Sequence, residues 1–308
     1  MHKRGHVVIY LGKDKPNLAR FAKGDVNVNI NVITDLLPSK AVQELNTLDS
    51  GKICEIRMRI NRHTTVNFGG RNIVTRHIAS KDDIVKCIQR ASGCSVYAFT
   101  DEIKNGFLTV KGGHRIGICG RASLKNGAVS NIVDFNSVNI RIAKEIRGCG
   151  EKLAPIAKNG SMLIVSPPGC GKTTVLRDIG RILGQTSPVS IVDERGEIAA
   201  CLRGEPQFDV GEMTDILDLC PKKTGIEIVL RAMSPEYIIT DEIARDDLES
   251  VNAGVQSGVK FIASAHGSSI DEALSRLNLC RGGSFKTVVL LGEKGKIIKT
   301  ETNEGTAV

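Results

Sequence analysis

Ser166-Pro-Pro-Gly-Cys-Gly-Lys-Thr173 has the spacing of a phosphate-binding loop. Gly169 and Gly171 let the backbone curl until successive N–H groups point at phosphate oxygens, and Lys172 brings an ammonium to the β- and γ-phosphates. Thr173 offers a hydroxyl to Mg²⁺, and a helix beginning here adds the positive end of its dipole. The nucleotide-binding set is therefore Ser166, Pro167, Pro168, Gly169, Cys170, Gly171, Lys172, Thr173 and Thr174, with ATP and Mg²⁺ as the expected ligands. Ser166 stands where this motif usually has its first glycine, a position that ends a strand and needs no special dihedral.

Phosphoryl transfer also needs a carboxylate for the metal shell and a group that orients the attacking water. Ile238-Ile-Thr-Asp-Glu242 supplies both at the end of an apolar run: Asp241 is expected at the metal and Glu242 at the nucleophile. A strand-end acid pair could otherwise only cap a helix. Asp193 and Glu194, in Asp193-Glu-Arg-Gly-Glu197, close another apolar run and are candidates for a second acidic box, with the register between them open. His266 ends Val259-Lys-Phe-Ile-Ala-Ser-Ala265 and could sense the γ-phosphate by a hydrogen bond.

These residues need strands that end together. Ser161–Val165 is a short apolar run before the loop, and Val175, Leu176, Ile179, Ile182 and Leu183 recur at helical spacing after it. Runs at 188–193, 236–240 and 259–265 follow, separated by helical stretches, and 286–300 reads as a closing hairpin. Strands with helical crossovers imply a mostly parallel sheet covered on both faces, with ligand at the carboxyl ends. Before residue 148 the pattern is a smaller α/β domain. It has a helical stretch from Asp35 to near Gly51, an alternating strand at 53–62 with Arg57 and Arg59 outward, and a helix at 81–92 capped by Ser80. Short strands follow at 106–110, 114–119, 128–133 and 138–142. The expected division is a basic segment 1–30, an N-terminal domain 31–148, a C-terminal domain 149–300 and a tail 301–308.

The chain has 308 residues, 41% hydrophobic and 25% charged, which suits a globular protein with a sizeable core. No apolar stretch approaches a bilayer span, so neither a signal peptide nor an integral membrane segment is expected. Nine scattered cysteines without a C-x-x-C pair suggest free thiols in a reducing cytosol. The net charge of +8 would suit nucleic acid, but 11 aromatic residues and no tryptophan leave few stacking platforms. A RecA-like ATPase acting on nucleic acid is therefore the alternative and not the leading reading.

Arg231-Ala-Met-Ser-Pro-Glu-Tyr-Ile-Ile-Thr-Asp-Glu-Ile-Ala-Arg-Asp246, with Ser264-Ala-His-Gly267, resembles the Walker B and His-box segments of the type II/type IV secretion and pilus-motor ATPases. The acids at 193–197 are similar to that family's Asp box, although Asp241 replaces the usual glycine before the glutamate. Val96-Tyr-Ala-Phe99, Gly112-Gly-His-Arg-Ile-Gly-Ile-Cys-Gly120, Asn139–Ile146 and Val192–Ile198 look like segments of the sporulation branch, the stage III AA family. The resemblance implies a RecA-like P-loop ATPase domain and a cytosolic homo-oligomer, expected to be a hexamer. It also implies membrane-anchored partner subunits of a sporulation secretion complex that holds the ring at the inner face of a membrane and joins mother cell to forespore. In that family arginines of the smaller domain and an adjoining subunit meet the transition-state charge, and Arg115, Arg121 and Arg141 lie in the matching segments.

Overall fold

The computed structural model describes residues 26–27, 30–93, 100–104 and 106–302. Almost all of the basic N-terminal segment, the Val96–Phe99 motif and the last six residues of the tail lie outside the described residues. The chain divides into two compact units, one taking Asn27–Lys144 and the other Val26 and the chain from Glu145 on.

The first elements are β1 (Val26–Asn27), α1 (Ile30–Thr34) and α2 (Ser39–Leu45). In the helical stretch expected from Asp35 to near Gly51 the one α-helix is α2, and it starts only after Pro38, which has no N–H to give and whose ring disfavours a helical Leu37; α1 lies before that stretch. Then come β2 (Ile53–Arg59), β3 (Arg62–Phe68), β4 (Arg71–Ala79), α3 (Lys81–Ala91), α4 (Thr100–Lys104), β5 (Phe107–Val110), β6 (His114–Lys125) and β7 (Ala128–Arg141). The six strands form an antiparallel sheet in the order β4-β3-β2-β7-β6-β5. Alternation sends Ile56, Met58, Val66, Ile116, Ile118, Val138 and Ile140 into one core with Ile33, Ile84, Cys87 and Ile88 of the helices. The two strands expected at 128–133 and 138–142 are one, β7, passing through Asp134 at φ 47°.

Past β8 (Glu145–Ile146) and α5 (Ala154–Ala157), the second unit alternates: β9 (Met162–Ser166), α6 (Lys172–Leu183), β10 (Val189–Asp193), β11 (Thr214–Asp218), α7 (Lys222–Ala232), β12 (Tyr237–Thr240), α8 (Leu248–Gln256), β13 (Lys260–His266), α9 (Ile270–Leu277), β14 (Thr287–Leu291), β15 (Ile297–Thr302). Sheet order is β11-β10-β12-β13-β9-β14-β15, parallel except for β15. The inner strands are apolar on both faces, and separate clusters cover each: Ile164, Val175, Ile179 and Ile239 on one side, Leu163, Ile238, Val251 and Phe261 on the other. Because β10, β12, β13 and β9 are successive neighbours, Asp193, His266 and Ser166, which end three of them, and Asp241, which directly follows β12, stand along one edge. Among the described residues no helix is long and apolar enough to cross a membrane, and the eight described cysteines are free thiols.

Candidate active site

The P-loop leaves β9 and enters α6 through Gly169 at φ 74° and Gly171 at φ 94°, left-handed angles that a side chain resists. The turn between β14 and β15 braces it, since the Gly295 N–H donates to the Cys170 carbonyl at 2.7 Å. Lys172 is 5% exposed. Its ammonium donates to the Ser166 carbonyl (3.1 Å), Ser166 Oγ (3.3 Å), the Pro167 carbonyl (3.3 Å) and His266 Nδ1 (3.0 Å). Burial holds its pKa below the usual lysine value, against the opposing pull of Glu242.

An ammonium can only donate, so His266 Nδ1 accepts and the neutral ring carries its proton on Nε2. That nitrogen lies 2.9 Å from Glu242 Oε1, which makes a continuous chain Lys172–His266–Glu242. Glu242 sits at φ 37°, a strained angle for a non-glycine residue. Ser264 holds it there: its hydroxyl accepts from the Glu242 N–H (2.9 Å) and its carbonyl from the Ile243 N–H (2.8 Å). The second oxygen of Glu242 meets Arg195 Nη1 at 2.5 Å.

Asp241 is 1% exposed and neither carboxylate oxygen has a hydrogen-bond partner. Burial pushes its pKa up to about 6, with Lys222 pulling down and Asp193, Glu197 and Glu242 adding to the rise. Two orphaned acceptors at the end of β12, one strand removed from the P-loop strand, suit a divalent cation, so Asp241 together with Thr173 could hold Mg²⁺. The cation now beside Asp241 is Lys222, 4% exposed at the first position of α7. Its ammonium lies 2.5 Å from Glu194 Oε2 and 3.7 Å from Asp241 Oδ1.

The two acids of the second box have different partners. Asp193 is fully buried, and its oxygens accept from the N–H groups of Glu197 (2.9 Å), Ile198 (2.8 Å) and Ala199 (2.9 Å). Its carboxylate clasps the turn that follows β10. Arg177 of α6 holds the same turn from its carbonyl side, with Nε on Ile198 O and Nη2 on Glu197 O, both at 2.6 Å. Burial lowers the Arg177 pKa to about 10. Glu194 is the acid of the pair that reaches the Asp241 side, through Lys222.

Sequence reasoning passed over Arg195, Lys222 and Ser264. The one local signal was Lys222 at a helix N-terminus, where the dipole disfavours a cation. In the first unit, Arg115 and Arg141 are register partners on β6 and β7, and the Arg115 guanidinium lies 3.9 Å over the Phe107 ring. Arg121 lies further along the β6–β7 hairpin and is paired with Asp134 at 2.9 Å, both exposed.

A model of the family described as "Sporulation stage III, protein AA" matches residues 29–303. Stage III sporulation protein AA of Bacillus subtilis (strain 168) is 40% identical over 265 residues, 82% of this chain and 86% of that one. The uncharacterized protein ycf45 of Cyanidium caldarium is 28% identical over 265 residues, 82% of this chain and 70% of that one. Among solved structures, the ATPase DotB of Yersinia pseudotuberculosis superposes with a TM-score of 0.55 at 12% identity, over 83% of this chain and 76% of that one. The pilus retraction motor PilT with bound ADP superposes with a TM-score of 0.55 at 13% identity, over 82% of this chain and 76% of that one. At such identities the likeness is one of fold: the mostly parallel, RecA-like sheet of the second unit is of the kind found in DotB and PilT.

Proposed function

Because the chain belongs to the sporulation stage III protein AA family, we propose that it hydrolyses ATP with Mg²⁺ as a homo-hexameric motor. The ring would serve a membrane-anchored secretion complex in sporulation from the cytoplasmic face of the membrane. The observation that carries the reading is the chain Lys172–His266–Glu242, which joins the phosphate-binding lysine to the acid that faces the nucleophile. Lys172 would turn from His266 to the β- and γ-phosphates, and His266, left with an open Nδ1, would report that the γ-phosphate has arrived. Bound Mg²⁺ would screen the phosphate charge beside Thr173 and Asp241. Glu242 would take a proton from water as the oxygen bonds to the γ-phosphorus. The bond from that phosphorus to the bridging oxygen breaks with its electron pair on ADP.

Arg115, Arg121 and Arg141 are the positions through which a neighbouring subunit would complete the site. Each alanine variant should bind ATP and hydrolyse slowly, and mixing it with Lys172→Ala should restore part of the activity at mixed interfaces. The founding test separates binding from chemistry: Lys172→Ala should weaken ATP binding at least tenfold, whereas Glu242→Gln should keep ATP and lose turnover. Equal ATP affinity in wild type and Lys172→Ala would defeat the assignment.

A further inference from the structure

Arg195 occupies a place in this site that neither the P-loop nor the Walker B pattern assigns. It is the middle residue of Asp193-Glu-Arg-Gly-Glu197, in the turn after β10. That turn is fixed on both sides, by three backbone N–H groups on the Asp193 carboxylate and by Arg177 on two of its carbonyls. Gly196, at φ 62°, turns the chain back immediately after it. The backbone of Arg195 is therefore held, while its side chain is 53% exposed and ends on Glu242 Oε2 at 2.5 Å.

From Arg195 to the P-loop ammonium there are only two intervening side chains, Glu242 and His266, and all four belong to the same unit. Two cations, Lys172 and Arg195, thus stand at opposite ends of one short chain with the nucleophile-facing acid between them. Arg195 is half exposed and Glu242 21% exposed, so solvent screening weakens the pair. A transferring phosphoryl group spreads charge over three oxygens, and a planar guanidinium with five donors matches that better than it matches one carboxylate oxygen.

We propose that Arg195 is an arginine finger supplied in cis: it rests on Glu242 and turns to the γ-phosphoryl group as Lys172 leaves His266. The inference rests on the ATPase reading above. No new bond chemistry is added. The guanidinium keeps its protons and only hydrogen-bonds the oxygens of the phosphoryl group while the phosphorus passes from the bridging oxygen to water.

The test uses the full-length chain with Mg²⁺ and compares ADP binding with trapping of ADP·aluminium fluoride, a mimic of the transition state. Arg195→Ala should bind ADP within about twofold of wild type and lose trapping by at least tenfold, with partial recovery in Arg195→Lys. A merely structural arginine would move both affinities together. Mixing Arg195→Ala with Lys172→Ala should restore no hydrolysis, because a finger acting in its own site cannot be lent to a neighbour. Trapping by Arg195→Ala as tight as wild type, or recovered hydrolysis in the mixture, would overturn the proposal while leaving the ATPase reading intact. A wild-type chain that binds no ADP would overturn both.

Discussion

Asp193→Asn separates a structural acid from a metal-binding one. In the wild type one Asp193 oxygen takes the Glu197 N–H and the other takes those of Ile198 and Ala199, at 2.8–2.9 Å from a fully buried carboxylate. An asparagine can keep its oxygen on the two-bond side, but its NH₂ then faces the Glu197 N–H. That leaves a buried donor without an acceptor, about 1–3 kcal/mol, and weakens two charge-assisted bonds to neutral ones, about 0.5–1 kcal/mol each. Partial relief comes from Asp218 and Asp241, whose pKa values the Asp193 charge helps to raise. The net loss should be about 2–3 kcal/mol. The protein has no tryptophan, so urea unfolding is best followed by circular dichroism, where the midpoint should fall without a change of slope. Glu194→Gln, tested beside it, should lower the midpoint less, since Glu194 is itself exposed and an amide oxygen can still accept from Lys222. An Asp193→Asn protein as stable as wild type, yet more than tenfold weaker for Mg²⁺-dependent nucleotide binding, would refute this reasoning and assign Asp193 to the metal.

Lys222→Met leaves Asp241 buried without its cation and should destabilise by about 3 kcal/mol; adding Asp241→Asn should recover much of that, and strict additivity in the double mutant would deny the pairing. Asp218, with one orphaned buried oxygen, has its pKa pushed up to about 6, by burial first and the Asp193 charge second. A carboxyl raised in the folded state above its unfolded 3.8 favours folding below about pH 4, and that benefit is lost as pH rises through about 6. Asp218→Asn should therefore gain about 1–2 kcal/mol at pH 7, after allowance for solvent at a half-buried group, and nothing at pH 4; an equal gain at both values would rule out ionisation as the cause. Gly295→Ala places a methyl on a φ of 71° and within 3.1 Å of Val175. It should loosen the brace on the P-loop and weaken ADP binding a few-fold, whereas unchanged binding would show that the hairpin turn is only a neighbour.

The P-loop and the acids at strand ends were legible because their chemistry depends on local order: an apolar run, a turn, a helix. The N-terminal strands were harder. Strand β3 buries Thr64 beside Val66, and β4 buries Thr75 and His77 beside Ala79, so hydropathy does not alternate where burial does. Thr64 Oγ and His77 Nδ1 satisfy each other at 2.9 Å, which is how two polar residues come to lie inside. Strand β11 is an edge strand with no fully buried residue and carries little signal. Lys222 and Arg195 could not be assigned roles at all, since their meaning comes from acids on other strands brought beside them by the order β10-β12-β13-β9.

That order also balances the charges of the site. Lys172, Lys222 and Arg195 stand among Glu194, Asp241 and Glu242, with His266 neutral between a lysine and a glutamate; Asp193 is answered separately by three backbone N–H groups. On the ATPase reading, nucleotide and metal would arrive together with a net negative charge, and the balance would have to be redrawn. Lys222 is enclosed and stays with Glu194, while Lys172 and Arg195 lie at the two ends of a chain that opens onto the P-loop. Were both to turn to phosphate, Glu242 would keep the His266 N–H. A carboxylate relieved of a cation accepts a proton more readily. Glu242 would thus become a base at the moment the γ-phosphate is in place, and water would be activated only when there is something for it to attack.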